Sequence, residues 1–146
     1  MIRNPSSSRA VYGSTIATLV LLTGQGWTGD FVNLFAVFPS GPVSRTLGGF
    51  ADALINAGRM EVTHAILGVS LAALAITTLI IAFRTSGSRG VKVWAIIGLL
   101  GVFSAAYGGI SFVASGFQNN GSSAQMGGSF IGAYASYFLV LYFNKR

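Results

Sequence analysis

The chain has a single histidine, His64, three acidic residues, Asp30, Asp52 and Glu61, and no cysteine. Without thiols it builds no disulfide, thiolate metal centre, iron–sulfur cluster or covalently attached c-type haem. A single imidazole also rules out a zinc site of several histidines, and no Ser-His-Asp triad has a supporting context. Glu61 precedes His64 by three residues, so on a helix the two share a face. Both fall at the start of an apolar run, where ionisable groups are costly and therefore candidates for function. The plain alternative is an interfacial pair, with Glu61 bonded to Arg59 or Arg45. Met126 begins another apolar run. Imidazole and thioether are an established pair of axial haem ligands. Gly127 and Gly128, next to Met126, would let a flat ring approach the backbone. The plain alternative for Met126 is a side chain that fills the end of a bundle.

The elements that must position these groups are apolar and few. The chain has 146 residues, 52% of them hydrophobic and only 8% charged. A soluble domain carries about 25% charged residues, so lipid is expected to solvate much of this exterior. Four apolar stretches stand out, at about 10–26, 62–83, 91–115 and 126–143, each near the ~20 residues that cross a hydrocarbon core. Runs such as Leu71 to Ile81 lack the alternation of barrel strands, so the spans are expected to be helices. The expected fold is all-α: one domain over 1–146, a polytopic membrane protein with an antiparallel bundle of four transmembrane helices. A signal peptide is the alternative for the first stretch, but no Ala-x-Ala-like cleavage site follows, the chain reading Thr23-Gly-Gln-Gly-Trp27.

Charge gives the expected orientation. Arg3, Arg9, Arg84, Arg89, Lys92, Lys145 and Arg146 fall on one side of a four-helix chain, with no acid among them. The other side has Arg45 and Arg59 against Asp30, Asp52 and Glu61. This asymmetry places both termini on the cytoplasmic side of the cell membrane. The net charge of +6 is thus a topology signal, and nucleic acid is not an expected partner. On the outer side lies a loop over 28–60. In it Phe31 to Phe38 is an apolar run ended by Pro39 and Pro42, either an extension of helix one or an interfacial dip. Val43, Leu47, Phe50, Ala51, Leu54 and Ile55 then recur at helical spacing, predicting a short amphipathic helix at the outer surface. Asn119-Asn-Gly121 reads as a turn. Gly98, Gly101, Gly108, Gly109, Gly127, Gly128 and Gly132 predict close helix packing, Gly128 and Gly132 at the four-residue spacing of small-residue interfaces. Helices two and four cross in the same direction, so His64 and Met126 are expected at similar depth near the outer face. Tyr107, Tyr134, Tyr137 and Tyr142 are expected as core or interface aromatics.

The order of these features resembles one four-helix half of the haem A synthase family. There a helix-one end rich in Gly and Gln leads to an outer loop that closes with Glu-x-x-His at the start of helix two. The corresponding residues are Thr23-Gly-Gln-Gly26 and Glu61-Val-Thr-His64. An apolar helix then ends in a basic turn, here Ala65 to Phe83 and Arg84. Where the family has a Gln-x-x-x-Gly-type segment in helix three, this chain reads Ser104-Ala-Ala-Tyr-Gly-Gly109. Where the fourth helix opens with a second histidine, it has Met126, and it lacks the outer cysteine pair of some members. The resemblance implies haem ligation by His64, Met126 as a substituted ligand and Glu61 as a catalytic acid. A His/Met pair suits electron transfer, because a thioether raises the potential.

Two functions follow as expectations. One is a small membrane protein that binds a b-type haem, through His64 and Met126 with Gly127 and Gly128 beside them, and acts in electron transfer or haem handling near the outer face. The other is a non-catalytic accessory subunit of a larger membrane complex of respiratory-oxidase type, without its own cofactor. The expected partners are the lipid bilayer and either such a complex or further copies of the chain. A transport module is disfavoured, because the interiors of helices two to four carry no charge.

Overall fold

The computed structural model describes residues 5–38, 43–44 and 46–145. Arg3, Pro39, Pro42, Arg45 and Arg146 lie outside the described residues, and so do the expectations that rest on them. The described chain is all-α, with five helices: α1 (Pro5–Phe35), α2 (Leu47–Ala57), α3 (Arg59–Thr85), α4 (Arg89–Ala114) and α5 (Asn120–Lys145). Three of them, α3, α4 and α5, are long and apolar enough to cross a membrane.

The four long helices run up and down around a ring. Helix α1 packs on α3, α3 on α4, α4 on α5, and α5 back on α1. The diagonal pairs, α1 with α4 and α3 with α5, make no backbone contact among the described residues. One end of the ring holds the start of α1, the end of α5 and the α3–α4 turn: the Asn144 amide donates to the Ser8 carbonyl at 2.9 Å. Arg9, Arg84, Arg89, Lys92 and Lys145 gather there. Asp30, Asp52, Arg59 and Glu61 belong to the opposite end, beside α2.

Small residues make up much of the interior while many large aliphatic side chains face out. Ala75, Ala82, Ala95, Ala133, Thr15, Thr18 and Thr78 are fully buried beside Val11, Leu22 and Tyr137, whereas Val69 is 74% exposed, Ile131 67% and Leu100 61%. Small residues at the contacts let helices approach closely. The α4–α5 seam is the tightest. A Cβ on Gly101 would lie 3.0 Å from the backbone nitrogen of Ala133, and one on Gly108 would lie 2.9 Å from the Ser122 carbonyl oxygen. Gly98 makes room for the ring of Tyr137, whose hydroxyl is buried with no hydrogen-bond partner among the described residues.

Helix α1 departs most from expectation. It begins at Pro5 and continues through Thr28 to Phe35, so the first part of the expected outer loop is helical and the apolar run beginning at Phe31 extends helix one. Its threonines, which read as breaks in an apolar span, return their hydroxyls to their own helix. Thr15 donates to Val11 at 2.7 Å, Thr18 to Ser14 at 2.9 Å, Thr23 to Leu19 at 2.9 Å and Thr28 to Gly24 at 3.0 Å. Such bonds leave no hydroxyl proton for an apolar solvent to strand. Two of its four glycines sit where neighbours press: Gly26 against Phe130 and Gly29 against His64, while Gly13 and Gly24 meet nothing.

Helix α5 begins six residues before the expected start. The Asn119 side chain accepts from the Ser122 amide at 3.2 Å, so the residues that read as a turn form a helix cap. Helix α2 exists as expected, capped by Thr46, which accepts from the Gly49 amide at 3.1 Å. Its face is corrected. Phe50, Ala53, Leu54 and Ala57 turn inward onto Val113 and Phe117, joined by Val43 and Phe38. Leu47, Ala51 and Ile55 turn outward, Leu47 being 93% exposed. The helix has apolar residues on both sides, and the aromatic end of α4 selects one of them. There Phe38 stacks on Phe117 at 4.6 Å and meets Phe112 edge-on at 5.6 Å.

Gly58 joins α2 to α3 at φ +119 and ψ 173. No side chain would collide there, so the need for glycine is conformational. Gly58→Ala is expected to lose about 1–3 kcal/mol of stability, measured as a lowered midpoint of thermal unfolding in detergent, with α3 and α4 helicity retained.

Candidate functional site

The polar groups singled out by type meet between α1 and α3, at the α2 end of the ring. His64 lies in the second turn of α3 and faces α1. Its Nε2 is 3.0 Å from the side-chain nitrogen of Gln25, and its Nδ1 is 3.0 Å from the Thr28 hydroxyl. Two glycines make the fit. Gly29 on α1 leaves room for the imidazole edge, since a Cβ there would lie 3.0 Å from His64 Cε1. Gly68, one turn beyond His64, leaves room for the Gln25 amide at 3.3 Å. Each helix therefore offers a polar side chain to a notch in the other.

The Thr28 hydroxyl also lies 3.0 and 3.1 Å from the carbonyls of Gly24 and Gln25. An imidazole nitrogen can donate or accept according to its tautomer, and both ring nitrogens of His64 have a polar partner on α1.

Two acceptors near this clasp stay without partners among the described residues: Gln25 Oε1 and Glu61 Oε2. Glu61 is 7% exposed, in the first turn of α3. A buried acceptor without a donor costs about 1–3 kcal/mol, so these atoms oppose the stability that the His64 bonds supply. A second polar link ties α4 to α5. Ser104 and Ser129 share a hydrogen bond at 2.8 Å, and the Gln125 amide donates to the Ser104 hydroxyl at 3.3 Å. On the α1–α5 seam, Thr23 and the Tyr134 hydroxyl are 3.0 Å apart.

The expected haem ligands are not brought together. His64 faces α1 from α3. Met126 faces α4 from α5, its Sδ 3.3 Å from the position a Cβ would take on Gly109 and its Cγ against Gly108. They occupy helices on opposite corners of the ring. Gly127 and Gly128 have no atom within 4 Å of where a Cβ would stand, so they point away from the bundle and do not form a cradle beside Met126. An axial imidazole must offer a free nitrogen lone pair to the iron, and His64 has none free. This arrangement does not fit a His/Met haem. Among the described residues no cluster of three or more His, Cys, Asp or Glu could hold a metal ion.

Glu61 and His64 were conspicuous by residue type, but the partners of His64 were not. Gln25 and Thr28 read as polar residues in a helix end, and Gly68 as one glycine among twenty. The available signal was the notch pattern: in antiparallel helices a glycine on one side faces a bulky polar group on the other. Comparison of the chain with protein-family models, curated proteins and solved structures finds no match.

Proposed function

We infer that this chain is a four-span membrane protein with both termini on the cytoplasmic side, acting as a non-catalytic accessory component of a larger membrane assembly. The observation that carries this reading is the clasp. The one imidazole, the side chain best suited to bind a cofactor or move a proton, is spent at both nitrogens on holding α1 to α3. The fourth span is supported by register. Helix α1 runs the full length of the ring, from the Ser8–Asn144 bond past Thr18–Thr78 at 3.0 Å to Gln25–His64. A helix packed alongside the apolar helices from end to end crosses whatever they cross. The five described basic residues at the end that holds the start of α1 and the end of α5 support the orientation. The outward Gly127, Gly128 and Gly132 suit a helix that meets other helices in lipid.

The absence of cysteine makes topology directly measurable. In intact cells, an impermeant thiol reagent is expected to label Asn56→Cys on α2, and to label Gly87→Cys in the α3–α4 turn only after permeabilisation. The reverse pattern overturns the orientation. For function, the protein purified in mild detergent is expected to migrate with larger membrane partners and to show no Soret band. A lone, coloured protein whose Soret band disappears in His64→Ala would restore the haem reading.

A further inference from the structure

The α1–α5 seam carries a groove that neither the clasp nor the aromatic end uses. It is a shallow depression of about 530 Å³, open along the outside of the bundle beside the Thr23–Tyr134 bond. Trp27 and Asp30 line it from α1, and Phe130, Tyr134, Ala135 and Phe138 from α5. The rings on α5 form a continuous wall, with centroids 5.8 and 5.2 Å apart. Asp30 is the one charged residue among those that line it, and it sits towards the α2 end. Trp27, one turn away, is 78% exposed.

The groove is largely apolar and opens on the outer surface of the bundle, which suits a hydrocarbon chain laid along the eight steps from Phe130 to Phe138, about 12 Å at about 1.5 Å per residue. Its charge selects the headgroup. A carboxylate repels an anionic phosphoglycerol and accepts hydrogen bonds from a primary ammonium, which quaternary choline cannot donate. The exposed indole of Trp27 adds a favourable face for the same cation.

We propose that the groove holds a phospholipid with a primary ammonium headgroup, its ammonium on the Asp30 carboxylate and its acyl chain along Phe130, Tyr134 and Phe138. This rests on the membrane-spanning reading above. The lipid takes the place of a fifth helix on this seam and fixes the depth of α1, whose polar residues make it the span least anchored by hydropathy.

The test uses the full chain, delipidated and returned to nanodiscs of equal phosphatidylethanolamine, phosphatidylglycerol and phosphatidylcholine, with retained lipid read by native mass spectrometry. An exposed ion pair supplies up to about 1 kcal/mol, so phosphatidylethanolamine is expected to exceed phosphatidylglycerol by up to about fivefold. Asp30→Asn is expected to equalise the three lipids, whereas Asp52→Asn on α2 leaves the preference unchanged. Ala135→Trp, at an exposed position, is expected to reduce retention of all three by filling the groove. Equal retention by the unaltered chain, or a preference that survives Asp30→Asn, overturns the proposal. So does a stoichiometric protein cross-linked through a photoreactive residue at position 135. Release of the chain from membranes by alkaline carbonate would instead overturn the membrane reading itself, which separates the two failures.

Discussion

Gly101→Ala is expected to destabilise the bundle by about 1–3 kcal/mol, the range for overpacking a filled interior. The new methyl would stand 3.0 Å from both the Ala133 backbone nitrogen and its Cβ. A backbone nitrogen in mid-helix cannot swing aside, so α4 and α5 must separate along the seam. Gly108→Ala meets the Ser122 carbonyl oxygen at 2.9 Å and belongs to the same class. Gly101→Leu is expected to give no folded protein. The contrast lies on the other side of α5. Gly128→Ala and Gly132→Ala meet nothing within 4 Å, and higher helix propensity is expected to make each neutral or stabilising by up to about 1 kcal/mol. Thermal unfolding of the isolated protein in one detergent, monitored by helicity, compares all four alanine variants. Equal losses at Gly101 and Gly128 would show that the inward and outward glycines have been assigned wrongly. For the proposed assembly Gly128→Leu tests something different: a loss of co-migrating partners, without loss of stability in detergent, would mark the outward face as a contact.

His64→Ala removes two interhelical hydrogen bonds and leaves Gln25 and Thr28 facing an apolar gap, with an expected loss of about 2–3 kcal/mol. The informative measurement is the double-mutant cycle of His64→Leu with Gln25→Leu. Either single change strands a buried polar partner, whereas the pair replaces both by apolar groups. Double-mutant cycles across membrane helices average about 0.6 kcal/mol and reach about 1.7; this pair is expected in the upper half, because Gln25 already holds one unpartnered oxygen. Additive losses would mean that Gln25 and His64 do not act on each other. The unaltered protein is expected to show no absorption band that depends on His64. A cofactor ligand would behave in the opposite way, with a spectral loss in His64→Ala and little change in the unfolding midpoint of protein lacking the cofactor.

Much of the architecture was legible because it rests on long-range hydropathy. Helices α3, α4 and α5 each contain an expected apolar stretch, apart from a terminal residue or two, since twenty apolar residues in a row leave few alternatives. Helix α1 was legible only in its middle. Its threonines and glycines read as ends by composition, and what keeps them helical is local bonding to carbonyls four residues back together with pressure from Phe130 and His64. The direction in which α2 turns was not legible, because its apolar residues lie on both sides and Val113 and Phe117, sixty residues away in the chain, choose between them. The same limit governed the candidate site. Residue type pointed to Glu61, His64 and Met126, and depth put the two ligands level. Depth does not say which neighbour a side chain faces, and around a ring of four helices that angular coordinate separates His64, turned to α1, from Met126, turned to α4.

The clasp also bears on how the chain is made. If α1 spans the membrane as proposed, it is synthesised before α3, and its threonine hydroxyls are already bonded within it, so most of the helix can enter lipid alone. Gln25 cannot, because its amide needs His64, which is synthesised 39 residues later. Until α3 arrives, the second half of α1 has a reason to stay beside water or the insertion machinery. Its final depth is then set by the pairing of Gln25 with His64, so α1 settles only once a helix made later is in place.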